Sequence, residues 1–347
     1  MYPTEFPRSQ WYVAARSEEI TRELFSRWIL DDPICFYRKL DGAPVAMVDR
    51  CIHRQMPLSK GRLREDALEC GYHGILYGDD GRALRIPSQD HVPPACRVHR
   101  YPLVESGGAI WIWMGDPEDA DESLIPDHRW MSDPEWVTVG GILPMKARAQ
   151  LLNENLLDLS HLTFLHPESI GTDKLAEVPV TSEFDENSVR VSRVMNGIDS
   201  PPFFTKVMKL SGLIDRTQVA EFTAPAFHVT HVSAQPVDAD GDDGLRQHKA
   251  IHAVTPERRT STHYFWFVAR DYEVDDQEVS DLWTHGGKTV FSQDVDACEA
   301  IEEIIGSYEP SYPVELNMKV DAGPLRARRI VERMVADEAA APREQGS

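Results

Sequence analysis

Two cysteines and two histidines stand at short spacings early in the chain. Cys51 and His53 lie in CIHR, Cys70 and His73 in CGYHG, with residues 54–69 between the two pairs. Each half offers one soft thiolate and one imidazole. Zinc fingers group their cysteines in one half and their histidines in the other, so a structural zinc fits this interleaving poorly. A [2Fe–2S] cluster with two Cys on one iron and two His on the other needs two loops approaching from opposite sides, each supplying one ligand of each kind. On that reading Cys51 and Cys70 hold the inner iron, and His53 and His73 the outer one. Two unrelated buried cysteines beside surface histidines are the bland alternative. Pro57, Ser59, Gly61 and Gly74 supply the turn residues that cluster-cradling loops require.

A second group lies in LLNENLLDLSHLTFLHP, residues 151–167, where Asn155, Asp158 and His161 recur every third residue in a leucine-rich segment. At about 100° per residue these three stay near one face of a helix. His161 and His166 are five apart, about 140° round an ideal helix, so they converge only through a π-type turn or an unwinding before Pro167. Two neutral imidazoles and one carboxylate, with open positions left over, form the facial triad of a mononuclear non-haem Fe(II) site that activates O2. The carboxylate must come from elsewhere. The helical segment VFSQDVDACEAIEEI offers Asp294 and Asp296, which project about 200° apart, so only one can face the metal. Asp294 is favoured; a buried hydrogen-bonded network without metal is the plain alternative for the whole group.

The elements that must position these residues fall into two parts. From Trp11 to Trp113, short β-type runs (Ile34–Arg38, Val45–Asp49, Val98–Val104, Ala109–Trp113) alternate with Asp-Gly and Gly-Gly turns, which predicts a small all-β domain. Residues 116–136 are acidic and proline-bearing and read as a connector. The expected boundaries are 1–138 for the first domain with its connector, 139–335 for a catalytic domain, and 336–347 for a fraying tail. The second part mixes a helical stretch over 153–166, strands at 188–194, 221–232, 246–254 and 262–270, and a long helix over 277–305. That is an α+β layout, with helices covering an antiparallel sheet.

Composition narrows the function classes. Across 347 residues, 57 Asp+Glu against 36 Lys+Arg give a net charge of −21, which disfavours a phosphate-backbone partner, so no nucleic acid is expected. No apolar run reaches the roughly 18 residues needed to span a bilayer, and Met1 to Trp11 carries Glu5 and Arg8; the expectation is a cytoplasmic protein with no membrane partner. Five cysteines are too few and too odd for a disulfide scaffold, and Cys35, Cys96 and Cys298 are left as ordinary thiols.

The two loop motifs resemble those of Rieske iron–sulfur domains, and WYVAA at 11–15 resembles the entry of bacterial Rieske oxygenase large subunits. The family's usual loop texts, C-P-H-R and C-P-Y-H-G, have prolines where this chain has Ile52 and Gly71. The pattern N-x-x-D-x-x-H-x-x-x-x-H resembles the iron-site helix of Rieske non-haem iron oxygenases, with the likeness covering roughly residues 8–310. LYGDDGRALRIP, IWIWMGDP and HAVTPE followed by HYFWF are similar to the branch that contains the vanillate and dicamba O-demethylase oxygenases. The resemblance implies a Rieske domain followed by a helix-grip-like catalytic domain. It also gives Asp158, with Asn155 beside it, a catalytic role, Asp158 bridging to a cluster histidine, here His73, of a neighbouring subunit in a homotrimer.

Within the second domain, His228 and His231 alternate onto opposite strand faces, so at most one can point inward. His252 resembles a position of the O-demethylase branch that contacts an aromatic carboxylate. His228, His252 and His285 are the candidate substrate contacts, and His248 and His263 read as structural or exposed. Lys and Arg are not concentrated in this half, so an aromatic carboxylate is expected to rest on histidines and backbone N–H groups. The implied function is a terminal mono-oxygenase of aromatic catabolism, driven by NAD(P)H through a separate flavin and ferredoxin-type reductase. Oxidative O-demethylation of an aryl methyl ether to a phenol and formaldehyde is the favoured reaction. A ring cis-dihydroxylating dioxygenase and a pure electron carrier are the rivals.

Overall fold

The computed structural model describes residues 4–241, 244–308 and 315–341. Contacts divide the chain into residues 8–125 and residues 1–7 with 126–347, so the division falls inside the acidic connector rather than at 138.

In the 8–125 unit, short apolar runs, most of them buried on both faces, build three small antiparallel sheets. One joins Trp11–Arg16, Ala109–Trp113 and Leu103–Ser106; a second is ordered Phe25–Ile29, Asp32–Arg38, Pro44–Val48 and Arg100–Tyr101. The expected 98–104 strand is thus two short strands. Trp11 and Trp113 lie 5.6 Å apart between ring centroids, and Trp111, Trp113, Tyr37 and Phe36 are fully buried. Burial of each such side chain contributes about 1.5–3 kcal/mol. The third sheet, Arg62–Arg64, Ala67–Glu69, Leu76–Tyr77 and Ala83–Arg85, carries the second Cys/His loop between its middle strands.

The second unit is organised by a seven-stranded antiparallel sheet. Its order is Val137–Met145, Ser261–Arg270, Arg246–Arg258, Phe227–Pro236, Leu213–Thr223, Ser188–Asp199 and Thr181–Phe184. The strand expected over 221–232 is instead a hairpin, because Pro225 has no N–H for a ladder and the chain turns over residues 224–226. Helices Ala149–Leu157, Lys288–Tyr308 and Ala322–Ala340 pack against the sheet. The expected tail begins inside the last helix, which runs to Ala340; residues 342–347 lie outside the described residues. No helix among the described residues is long and apolar enough to cross a membrane.

Two buried ion pairs tie the helices together. Arg148, at the N-terminus of Ala149–Leu157, donates through Nε to Glu302 Oε2 at 2.7 Å, and Arg328 donates through Nη2 to Glu154 Oε2 at 2.6 Å. Removing one partner of such a pair costs about 3–5 kcal/mol, because the other charge stays buried. The first pair fixes the segment leading to His161 against the helix that carries Asp294, and the second fixes it against the last helix.

Candidate active site

The two Cys/His loops share one backbone design. Cys51 N–H donates to the Met56 carbonyl at 2.9 Å and Cys70 N–H to the Ile75 carbonyl at 2.8 Å; Gln55 and Gly74 N–H return to the Cys51 and Cys70 carbonyls at 3.0 Å each. Gln55 and Gly74 both take left-handed backbone, with φ of 57° and 69°. The chain approaches so closely at Gly71 that an added Cβ would stand 2.7 Å from the Lys60 carbonyl oxygen, so the residue standing in for the usual proline has to be small. Cys51 and Cys70 are buried while His53 and His73 are exposed, their rings 4.6 Å apart. Burial pushes the Cys70 thiol up, against backbone N–H donation from Tyr72 and His73, and the Tyr77 hydroxyl lies 3.1 Å from Cys51 Sγ. Two buried sulfur donors with two imidazoles on the solvent side fit an asymmetric cluster with thiolates inside and histidines outside.

In the second unit the helix carrying Asn155 ends at Leu157, and Asp158 turns to extended backbone with φ −88° and ψ 92°. A separate single turn, Leu162–Leu165, then sets His161 at its start and His166 at its end. The chain leaves the helix a first time at Asp158 and again at His166, whose φ of −121° and ψ of 43° place an unwinding just before Pro167, as the five-residue spacing of the histidines requires. The π-helical turn lies at Trp283–Gly287, on the way to Asp294. Gly171, whose N–H donates to the His166 carbonyl at 3.0 Å, closes the loop where an added Cβ would meet the Leu162 carbonyl oxygen at 2.3 Å.

The triad is compact. Asp294 Oδ1 lies 3.2 Å from His166 Nε2 and 3.4 Å from His161 Nε2, and one donor atom from each residue falls within 4.8 Å of the others. Asp294 is buried and Asp296 is exposed. Burial would raise the Asp294 carboxyl, but the His161 and His166 imidazoles beside it hold it well below the usual carboxylate range. His166 Nδ1–H donates to Gln293 Oε1 at 2.7 Å, which leaves Nε2 free to ligate. His161 Nδ1 is buried without a hydrogen-bond partner. Two imidazoles and a buried carboxylate aimed at one point fit a mononuclear iron.

Beside the triad is a cavity walled by Phe203, Phe204, Trp283, Phe291 and the inner face of the sheet. His252 lines it, hydrogen-bonds through Nδ1 to the Tyr264 hydroxyl at 2.7 Å, and is pulled down to about 4 by burial, so it is neutral at pH 7. His228 does not line the cavity: its Nε2 lies 2.9 Å from Asn153 Oδ1 under the helix. His285 is exposed, bound to the Asp281 carbonyl at 2.8 Å, and also lies off the wall. His248, read from sequence as structural or exposed, is a buried wall residue 4.7 Å from the Trp283 ring centroid, pulled down to about 3 by burial. His263, half-buried on the neighbouring strand, is not among the lining residues. Asn155 lines the cavity, its Oδ1 buried without a partner, whereas Asp158 Oδ1 accepts from Ser160 N–H and Oγ at 2.8 and 2.5 Å and faces an open groove beside His161.

The expectation that an aromatic carboxylate rests mostly on histidines and backbone N–H groups did not include Arg216, which is a buried wall residue, with Gln218 next to it on the same strand face. The signal was present: Ile214, Arg216, Gln218, Ala220 and Phe222 alternate onto one buried face, and a cation at such a position needs a reason. It was missed because the 213–223 strand was not recognised.

Residues 10–102 match the Rieske [2Fe-2S] domain family, and residues 145–337 match the vanillate O-demethylase oxygenase C-terminal domain family. The chain is 34% identical over 342 residues to a vanillate O-demethylase oxygenase subunit of Pseudomonas sp. (strain HR199 / DSM 7063), covering 96% of each. It is 33% identical to a toluene-4-sulfonate monooxygenase system iron-sulfur subunit of Comamonas testosteroni, covering 96% of this chain and 98% of the relative. A crystal structure of dicamba monooxygenase bound to 3,6-dichlorosalicylic acid superposes with a TM-score of 0.91 at 28% identity, over 98% of this chain and 100% of that one.

Proposed function

Since the chain belongs to the vanillate O-demethylase type of Rieske non-haem iron oxygenase, we propose that it is the terminal oxygenase component of a multicomponent mono-oxygenase for a substituted aromatic, with O-demethylation of an aryl methyl ether as its reaction. The observation that carries this reading is the convergence of His161, His166 and Asp294 on an aromatic-walled cavity. When bound, the cluster relays single electrons from an NAD(P)H-driven reductase and the iron activates O2, so that ArOCH3 + O2 + 2 electrons + 2 protons yields ArOH, HCHO and H2O.

Each residue group has a task in that reaction. Cys51, Cys70, His53 and His73 would hold the cluster, and His161, His166 and Asp294 would hold the iron. Phe203, Phe204, Trp283 and Phe291 exclude water and clamp the ring. Asn155 presents its free Oδ1 to the space beside the triad. His252, neutral and steadied by Tyr264, offers a hydrogen bond without adding charge near the reacting carbon. Asp158, on its open groove, would meet His73 of a neighbouring copy in a cyclic homotrimer, linking one chain's cluster ligand to the next chain's iron ligand. The net charge of −21 suits docking of a basic reductase face.

The test is a screen of methoxylated and other substituted benzoates for substrate-dependent O2 uptake with a surrogate reductase, with formaldehyde and 18O incorporation assayed alongside. One labelled atom leaving with the formaldehyde is the expected result. Two atoms in a ring diol, or O2 uptake with no organic product, would overturn the reading.

A further inference from the structure

One buried guanidinium, Arg216, stands in the cavity wall and a second, Arg193, lies behind it on Gln218, and among the described residues neither forms an ion pair with a carboxylate. Arg216 is 2% exposed; its Nη1 donates to the Ile170 carbonyl at 3.3 Å and its Nη2 to Gln218 Oε1 at 3.2 Å, while Nε meets no acceptor. Arg193, 3% exposed, donates to the same Gln218 oxygen at 3.1 Å and to the Leu175 carbonyl at 3.4 Å, and its Nε is also without an acceptor. Phe204 lies with its ring centroid 4.4 Å from the Arg216 guanidinium carbon and restricts its rotation. Burial and the Arg193 charge pull Arg216 down to about 9, and among the described residues only the more distant field of Asp158 acts on Arg193 in the other sense. Unpaired charge is costly to bury, so a cation at the wall of a cavity is half of a pair that an entering anion completes.

Strand register shows where that half-pair lies. Arg193, Gln218, Val232 and His248 form one cross-strand row, and Phe222, His228 and His252 form another. Gln218 and Phe222 are four residues apart, so the rows are separated by about 14 Å along the sheet. The His252 row is the triad end: Phe291, three residues before Asp294, packs its ring 5.2 Å from His252, and the Asp294 charge acts on that imidazole. Arg216 lies a further two residues beyond Gln218, at the opposite end of the cavity.

From this the structure assigns to Arg216, backed by Arg193 through their shared Gln218, a binding site for the oxyanion of an aromatic acid, carboxylate or sulfonate, whose oxidised substituent lies meta or para to it. The assignment rests on the oxygenase reading above and names its substrate class and orientation. An ortho acid would place its charge near His252, which is neutral, and leave Arg216 unpaired.

The test is equilibrium binding to the purified oxygenase, loaded with both metal centres. The probes are 3- and 4-methoxybenzoate, 4-methoxybenzenesulfonate, 2-methoxybenzoate and the uncharged 4-methoxybenzamide. The meta and para acids should bind, the amide and the ortho acid at least about 30-fold more weakly, and the tighter of carboxylate and sulfonate identifies the headgroup. Arg216→Met should lose about 30-fold or more for the acids with no fall in the thermal midpoint of the ligand-free protein, since it removes an unpaired buried charge. Arg216→Lys, which keeps the charge without the planar fork, should fall between the two and serves if Arg216→Met does not fold. Acid binding unchanged in these variants, equal binding of the amide, or no binding by any acid would overturn the site. Acids that bind through Arg216 yet release no formaldehyde would sink the demethylation and leave the site standing. Formaldehyde from neutral ethers, indifferent to Arg216→Met, would do the reverse.

Discussion

At the scale of single residues, the iron site depends on an amide that ligates nothing. Gln293 accepts from His166 Nδ1–H at 2.7 Å and so fixes which ring nitrogen is offered to the metal. Gln293→Leu should keep the triad but weaken iron binding about 10- to 100-fold, as loss of such supporting partners does elsewhere. Competition with a chelator measures this, with the cluster absorbance as an internal control; unchanged affinity would show that packing alone holds the ring. The candidate ligands were legible in sequence because thiolate, imidazole and carboxylate chemistry restricts which residues can serve and at what spacing. Gln293 and Arg216 were not, because an amide or a guanidinium acquires its role only from what it faces. His228 and His285 were read as pocket residues and His248 was not, since a histidine's residue type says nothing about its place in the sheet register.

At the scale of elements, the sheet face that lines the cavity also buries three neutral histidines, and this gives the fold a pH dependence. Burial holds His248 at about 3 and His252 at about 4, and holds His228 well below its ordinary value. An unfolded histidine titrates near 6.5, so between roughly pH 6.5 and 4 the unfolded chain binds protons that the folded chain refuses. These groups therefore contribute stability that is fully present above about pH 6.5 and is lost as pH falls, at about 1.4 kcal/mol per pH unit for each proton. His228→Gln retains an N–H donor for Asn153 Oδ1 and removes one titration. The variant should lose about 1 kcal/mol less than the parent between pH 6 and pH 5 in chemical denaturation, the metal ligands titrating alike in both. Identical slopes would mean that His228 is protonated in the folded protein. Period-2 alternation made most of these strands readable, and the 213–223 strand escaped because Pro225 was not taken as the break between two strands. The unwinding before Pro167 was readable from the five-residue spacing of the histidines and lies at His166, whereas the earlier break at Asp158 was not, because Leu-rich spacing favours helix there.

At the scale of the whole molecule, electrons delivered to the 8–125 unit must reach an iron held by the other unit, and Asp158 is the residue proposed to carry that link between copies. Its Oδ1 is committed to Ser160 N–H and Oγ, and its side chain borders an open groove shared with His161, beside the exposed apolar side chains of Phe164, Ile301 and Leu316. Exposed apolar surface next to an ionisable group is what a subunit contact would cover. Asp158→Asn keeps an oxygen acceptor for Ser160, so the turn before His161 should survive and both metal centres should load as in the parent. What changes is the negative charge offered to His73 of the neighbouring copy. The expected outcome is three irons per chain, a trimer by light scattering, and at least about tenfold slower oxidation of the mononuclear iron by the cluster in a single turnover, with substrate affinity unaltered. A parent protein that is monomeric at its working concentration yet turns over at full rate would remove the need for transfer between copies. An unchanged single-turnover rate in the variant would remove Asp158 from the path, whatever the oligomeric state, because the charge is the one property the substitution takes away.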